Sequence, residues 1–554
     1  MPFSRRFFLF SSSFVVLCVI ATFAQSEPSI RRANDAVTTR DADPLVTFVD
    51  QQIRQAWEDN EVQPSERADD AEWLRRVSLD IVGHIPTADE IETFLADESE
   101  TKRADAVNRL LDDPGYVQNW TTVWANLLIG RQTPRLTSRA GMEKFLREAF
   151  TKNRPWNEVV YDLLTAEGHY EENGAVNFLL GQLNGNPNRE DYTVEATARV
   201  TRLFLGTQVQ CTQCHNHPFN DWKQEQFWEF DSFLRQMRRV DHRKTDPKTG
   251  RRIDDFAELV WKNYEGPVYY ERRSGVMEAA YPYYADQQVD PAGTTDRRME
   301  LAKVMARDDP DHQVARAMVN RMWGHFFGFG LTRPVDDMGP HNPPSHPDVI
   351  DRLTDEFAAS GYDLKQLIRW ITSTEAYQLT SQFNDKNRID DPSAGEVPLF
   401  SHMYVKPFTA EQLYESLLIA TQATAATGNY QEAEERRRQW MREFLLIFGG
   451  NEDDEPTLFS GTIPQALMMM NGDLVRAADS GMPGSTLHEV LTDERLRSDP
   501  QRIQRLYLSS LGRLPSRREA TMSQKLISGS PDKLAAYQDL YWALLNSNEF
   551  VMNH

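Results

Sequence analysis

Trp73-Leu74-Arg75-Arg76-Val77-Ser78-Leu79-Asp80-Ile81-Val82-Gly83-His84-Ile85-Pro86-Thr87-Ala88-Asp89-Glu90 reads as a helix, a turn and the start of a second helix. Trp73, Leu74, Val77, Ile81 and Val82 recur at helical spacing and make one apolar face. Gly83 and Pro86 end that helix. Thr87, with Glu90 three residues on, is a capping box for the next, whose expected buried side chains are Ile91, Phe94 and Leu95. The pattern returns far along the chain. Arg76-Val77-Ser78-Leu79, Gly83-His84-Ile85-Pro86-Thr87 and Glu90 are echoed at the same spacing by Arg505-Leu506-Tyr507-Leu508, Gly512-Arg513-Leu514-Pro515-Ser516 and Glu519. Leu110-Leu111 with Tyr116 is matched by Leu544-Leu545 with Phe550, so one helical unit is expected twice, near 73–120 and 503–554.

Outward from these units the chain stays helical. A third helix carries Val107, Leu110 and Leu111 and stops at Pro114, and Trp120 and Trp124 at i, i+4 read as core. Helices are expected at 139–152 and at 156–166, the latter opened by Pro155, and residues 191–209 should run helically into a cysteine motif. Beyond residue 295, Met299, Leu301, Val304 and Met305, then Val314, Met318, Met322 and Phe326, form buried faces. Ser345-His346-Pro347-Asp348 caps a helix burying Ile350, Leu353 and Phe357; Asp363 caps the next; Thr409 and Gln412 make another capping box. The expected fold is mainly α, with helical domains over 45–240 and 295–554 joined by a basic, Tyr-rich region at 241–294 that includes a strand at Val268-Tyr269-Tyr270. Residues 448–462 and 479–486 read as loops, and Met468, Met469 and Met470 as core fillers.

The chain has 554 residues, 40% apolar and 26% charged, with a formal net charge of −22. So acidic a surface repels a polyanion and excludes a general nucleic-acid binder. Arg5 and Arg6 precede an apolar run from Phe7 to Phe23, and Thr22 and Ala24 supply small residues before Gln25. That order is a cleavable export signal over residues 1–24, followed by a polar lead-in over 25–44. Ser4-Arg5-Arg6-Phe7-Phe8-Leu9 also resembles a twin-arginine signal, with Phe10 where lysine is usual; the arginines are read as an ordinary secretory n-region. No later stretch reaches the ~20 apolar residues of a membrane span. The expected location is periplasmic or at the cell surface.

Of three cysteines, Cys18 lies in the signal, which leaves Cys211-Thr212-Gln213-Cys214-His215-Asn216-His217-Pro218-Phe219. C-x-x-C-H is the pattern of a c-type haem attachment site: Cys211 and Cys214 bond the porphyrin vinyl groups, and His215 ligates iron. Two other readings stay open. The cysteines form a local dithiol or disulfide, or Cys211, Cys214, His215 and His217 hold zinc or iron. Under the haem reading His217 supports the site without reaching the iron. Met237, His242, His341 and His346 are the candidates for a sixth ligand, and Trp222, Phe227, Trp228, Phe230 and Phe233 either wall a haem pocket or are core. Arg235, Arg238, Arg239, Arg243, Lys244, Lys248, Arg251 and Arg252 read as a solvated loop, or as a contact for propionates, an anionic glycan or an acidic partner. Asp336-Asp337 is read in turn and cap roles before paired-carboxylate chemistry. No G-x-S-x-G elbow, phosphate loop or H-E-x-x-H helix occurs.

With these motifs in view, the chain resembles exported planctomycete-type proteins that carry two tandem domains of unknown function, numbered fifteen forty-nine and fifteen fifty-three. The first is carried by Arg75 to Asp80 with Gly83 and Pro86-Thr87, and by Gln210 to Phe219 with Trp222. The second is carried by Ala315 to Trp323, Pro334 to Asp337, Asn342 to Pro347, Ser360 to Leu364, and Asn546 to Phe550 with Asn553-His554. Two departures stand out: Asp309-Pro310 replaces a common Asn-Pro, and no separate cytochrome domain precedes the first domain. The resemblance implies export and a two-domain layout, and no reaction. Three functions remain in view: a haem protein that moves electrons or serves as a haem-bearing module, with a redox partner; a metal- or thiol-dependent exported enzyme linked to polysaccharide breakdown, acting on an exported carbohydrate or sulfated polymer beside an exported hydrolase; and a non-catalytic binding scaffold. Protein recovered from its native compartment should begin near Gln25. Mass spectrometry that finds Met1 or Cys18 in the mature form would overturn the export reading.

Overall fold

The computed structural model describes residues 43–554 except 184, 185, 187, 188, 190, 424–438, 448–467, 470, 471, 473, 475 and 477–480. The export signal, the loop at 448–462 and Met470 therefore lie outside the described residues. Ten helices fill the first part of the chain: α1 Pro44–Asp59, α2 Asp70–Val82, α3 Ala88–Ala96, α4 Lys102–Asp112, α5 Pro114–Ile129, α6 Arg139–Thr151, α7 Trp156–Thr165, α8 Val176–Gly181, α9 Val194–Phe204 and α10 Gln224–Leu234. Strand β1 is Gly168–His169, and small sheets follow α10: β2 Met237–Thr245 with β3 Arg252–Trp261, β4 Val268–Glu271 with β5 Met277–Ala280, and β6 Tyr283–Tyr284 with β7 Gln287–Gln288. Helices then resume as α11 Arg297–Ala306, α12 Gln313–Phe327, α13 Pro347–Ala359, α14 Leu364–Ser373, α15 Ala410–Thr421, α16 Thr486–Thr492, α17 Asp499–Leu511, α18 Arg517–Gly529, α19 Lys533–Leu545 and α20 Asn548–Val551. Strands β8 Lys406–Pro407 and β9 Met552–Asn553 pair antiparallel. The mainly α class stands.

The echoed units have matching local structure. In each, a helix ends on a left-handed glycine, Gly83 at φ 80° and Gly512 at φ 76°. In each, a capping box follows, Thr87 with Glu90 and Ser516 with Glu519. Each closes on a buried aromatic, Tyr116 or Phe550. The two copies also touch. Arg75 in α2 donates to Ser510 O at 3.1 Å and Phe550 O at 2.8 Å. Arg505 in α17 pairs with Asp89 and Glu92 at the start of α3.

Packing is continuous through the described residues. Trp73, Leu74 and Val77 of α2 share a core with Trp323, Phe326 and Phe327 of α12 and with Tyr377. The opposite side of the same unit, Leu79 and Ile85, joins a second core with α15 to α20. Trp120 and Trp124 are core, as expected.

Several local expectations change. The basic stretch is no solvated loop: it forms most of the β2–β3 hairpin, where Arg243 faces Asp254, Lys244 pairs with Asp255 at 2.9 Å, and His242 pairs with Glu258 at 2.9 Å. Acidic residues on the neighbouring strand pair with Arg243 and Lys244, which periodicity within one strand does not reveal. The helix expected over 191–209 is α9 alone, followed by an irregular link. Ser345 makes no cap bond to α13, which starts on Pro347 behind His346. Leu95 and Met299, expected inside, are 38% and 46% exposed.

The paired glycines make a test. A methyl on Gly83 would sit 2.5 Å from Asn119 Oδ1, whereas on Gly512 its nearest neighbour is Arg75 Cβ at 3.6 Å. Both alanine variants incur the left-handed backbone cost, on the order of 1–2 kcal/mol. Gly83→Ala should lose more stability in urea unfolding than Gly512→Ala; equal losses would show that Asn119 yields freely.

Candidate functional site

Val209 and Thr212 are buried, and Thr212 Oγ1 donates back to Val209 O at 2.5 Å. This anchor bends Gln210–Gln213 into one 3-10 turn, closed by Cys214 N–H to Cys211 O at 3.3 Å. Side chains at i and i+3 of such a turn eclipse, so Cys211 and Cys214 share a side. Both thiols are free, Cys211 half-buried and Cys214 exposed. Burial pushes the Cys211 thiol up, and Asp337 and Cys214 push it the same way. A thiol held protonated is a poor nucleophile, which weakens the thiol-enzyme reading.

The two histidines are set oppositely. His215 Nδ1 lies 2.7 Å from Asn216 O. A carbonyl only accepts, so Nδ1 carries the proton and Nε2 keeps its lone pair. His217 Nδ1 instead accepts from the backbone N–H of Phe219 at 3.2 Å and of Asn220 at 2.9 Å. In neutral His217 the proton therefore sits on Nε2, which donates and cannot ligate. Burial holds the His217 imidazolium below its ordinary range, and Asp337 opposes that shift.

A second wall comes from the proline-rich loop before α13. Asp336 is clamped by Arg202 Nε at 2.5 Å and Gln208 Nε2 at 2.8 Å, and Met338 N–H donates to Gly206 O at 2.7 Å. Gly206 stands at φ 63°, a left-handed conformation that favours glycine. This clamp brings Asp337 and His341 to the motif. His341 Nε2 meets Asp337 Oδ2 at 3.1 Å, and the rings of His341 and His217 are 5.7 Å apart. Asn220 Nδ2, Asp337 Oδ1 and His341 Nδ1 are buried without a hydrogen-bond partner among the described residues.

The third wall is α10. Gln224 Nε2 donates to Gln213 O at 3.2 Å and Glu271 O at 3.0 Å, and Trp228 Nε1 donates to Gln213 O at 3.1 Å. Sequence spacing pointed to neither role. Phe227 and Trp228 pack with Val209, Val268 and Tyr270 in a small core of their own, while Phe230 and Phe233 lie in the main core. Phe227, Trp228, Phe230 and Phe233 are thus core, Trp222 is half-buried against both cores, and Phe219, 76% exposed, is an apolar side chain beside the turn. Met237 is buried in the main core, and His242 stays on the β2–β3 hairpin. Among the described residues no three His, Cys, Asp or Glu side chains converge on a point that could hold a metal ion.

Residues 48–239 match PSCyt2, described as a protein of unknown function (DUF1549). Residues 297–455 match PSD1, described as a protein of unknown function (DUF1553). The two matches lie in tandem along the chain. No curated protein and no solved structure matches it. No helix among the described residues is long and apolar enough to cross a membrane. The cysteine turn belongs to the PSCyt2 segment, whereas Asp336, Asp337 and His341 belong to PSD1, so residues of both families meet at this site.

His346, in the same loop, is 5% exposed; its Nδ1 meets Ser345 Oγ and its Nε2 is buried without a hydrogen-bond partner among the described residues. Burial lowers its imidazolium to about 4, against a partial opposing pull from Asp390. The unfolded chain therefore takes up this proton first. Stability is intact above the ordinary histidine range and falls as pH drops from 6.5 toward 4. The loss from this one group should approach about 3 kcal/mol. His346→Gln should flatten the fall in urea midpoint across that window, and an unchanged slope would show that His346 does not titrate there.

Proposed function

We propose that the protein is an exported c-type haem protein that transfers electrons or serves as a haem-bearing module of a cell-envelope system. The observation that carries this reading is the 3-10 turn. It sets two free thiols on one side, with an imidazole next in sequence whose Nδ1 proton is already engaged by Asn216 O. Such a backbone acceptor is the usual partner of a ligating histidine, since it fixes the tautomer and leaves Nε2 for the metal. A tetrahedral zinc site needs its donors to converge, and His217 presents an N–H where a ligand needs a lone pair. A porphyrin needs its two thioethers at its edge and the imidazole beneath its centre, so its donors are spread.

Cys211 and Cys214 would hold the group covalently, and His215 would ligate its iron. Bound haem supplies one-electron redox chemistry. The chain's own residues do the rest. Gln224 and Trp228 hold Gln213 O and so fix the turn, and Thr212 anchors it to Val209. Phe219 offers an exposed apolar face beside the turn, and Asp337 places a negative charge near Cys211. With Phe227, Trp228, Phe230 and Phe233 closed into core and Trp222 half-buried, a group attached here would lie at the surface.

Protein matured in a host with a haem-attachment system should stay coloured after acid–acetone extraction. Cys211→Ser or Cys214→Ser should weaken that retention, and His215→Ala should change the iron's spin state while colour persists. A colourless protein with two free thiols, a Cys211–Cys214 disulfide or bound zinc would decide against haem.

A further inference from the structure

Far from the cysteine turn in sequence, a buried carboxylate is shared by three side chains. Asp80 is 1% exposed; its Oδ1 accepts from Lys406 Nζ at 2.7 Å and from Asn553 Nδ2 at 2.8 Å, and its Oδ2 accepts from Tyr377 OH at 2.7 Å. Lys406 and Asn553 are direct cross-strand partners in the β8–β9 pair, and they are 9% and 3% exposed. The two nitrogens bond the same oxygen, so they cannot be further apart than the two bonds laid end to end. Lys406 Nζ has further acceptors in His325 O at 2.6 Å and Phe326 O at 2.9 Å. Asn553 Oδ1, by contrast, is buried with no partner among the described residues. An amine, a carboxamide and a carboxylate meet here with little exposure to water.

We propose that Lys406 and Asn553 become joined by an intramolecular isopeptide bond, with Asp80 relaying the protons. One Nζ proton passes to Asp80 Oδ1 along their hydrogen bond, leaving an amine beside a carboxylic acid. Burial holds the Lys406 ammonium below its ordinary range, against the opposing charge of Asp80. The Nζ lone pair attacks Asn553 Cγ. A bond forms between Nζ and Cγ, the bond from Cγ to Nδ2 breaks, Asp80 protonates the departing nitrogen and takes the second proton from Nζ. One ammonia leaves, and Asp80 ends as an acid able to donate to the new amide carbonyl. Nothing is oxidised or reduced, and no co-reactant is needed. The Lys406 stem packs against Gly328, 3.2 Å from a would-be Cβ, which limits the approach of water as a competing nucleophile. The product would tie residue 406 to residue 553 and pin the second helical unit to the main core, whatever the cysteine turn binds.

The test is mass spectrometry of the folded, full-length mature protein after incubation at neutral pH. The expected result is an intact mass lighter by one ammonia, and a protease digest containing a branched peptide that joins Lys406 to Asn553. Lys406→Met and Asn553→Ala should each restore the full mass and linear peptides. Wild-type protein that keeps its full mass and yields only linear peptides overturns the proposal, and this reading needs no variant to fold. Folded Asp80→Asn protein that still carries the branched peptide would overturn the relay assigned to Asp80.

Discussion

Buried charge that must be answered is the constraint on which the rest of the molecule depends. Helix α2 carries Arg75, Arg76 and Asp80, all between 0% and 1% exposed, into the interior. Arg76 donates to Tyr377 O, Leu379 O and His554 O and pairs with Glu72 at 2.9 Å. Arg75 is met by carbonyls at the ends of α17 and α20, and stays a cation because its ordinary affinity for a proton is so high that burial lowers it only to about 10. Asp80 collects Lys406, Tyr377 and Asn553. Removing one partner from such a cluster strands the others in low dielectric and typically costs about 3–5 kcal/mol. Each of these charges therefore dictates where a distant segment must lie, and the segments near 377, 406, 510 and 550 are placed around α2 as a result.

That arrangement accounts for the site's position at the junction of two family segments. With α2 and α12 sharing one core, α9 is carried against the loop that follows α12. Arg202 of α9 then reaches Asp336, and Gly206 reaches Met338. The motif turn begins four residues after Gly206, so the clamp that seats the loop also fixes Asp337 and His341 beside Cys211 and His217. Neither family segment alone contains the whole constellation.

The sequence made helices, caps and the repeated unit legible because those features are local. A left-handed glycine, a Thr-x-x-Glu box and an apolar stripe each declare themselves within a few residues, and Gly83, Thr87 and Glu90 did so. Cysteine spacing likewise singled out Cys211, Cys214 and His215. What stayed hidden depends on partners distant in the chain. The β2–β3 hairpin looked like a charged loop because its neutralising acids, Asp254, Asp255 and Glu258, follow the basic run. Gln224 and Trp228 have no spacing that betrays a role in holding Gln213. The choice between His215 and His217 as ligand was argued from reach alone, whereas the physical distinction lies in which ring nitrogen each backbone partner engages.

The two copies of the helical unit show how one local pattern serves opposite ends once its surroundings differ. Arg76 in the first copy and Arg505 in the second occupy equivalent positions. Arg76 is buried and answered by carbonyls and Glu72, so it organises the core. Arg505 is half-buried and reaches across to the exposed Asp89 and Glu92 of the first copy, a contact that water and salt screen and that is worth little on its own. The second copy is therefore held chiefly by what it offers Arg75, the carbonyls of Ser510 and Phe550, and by the shared apolar contacts of Leu79 and Ile85 with Leu506, Leu511 and Leu544. Its glycine turn is correspondingly roomier than that of the first copy, since Gly512 faces only the aliphatic stem of Arg75 where Gly83 faces the Asn119 amide. The first copy is the element around which the chain is built, and the second is a helical lid whose attachment runs through Arg75 and the β8–β9 pair.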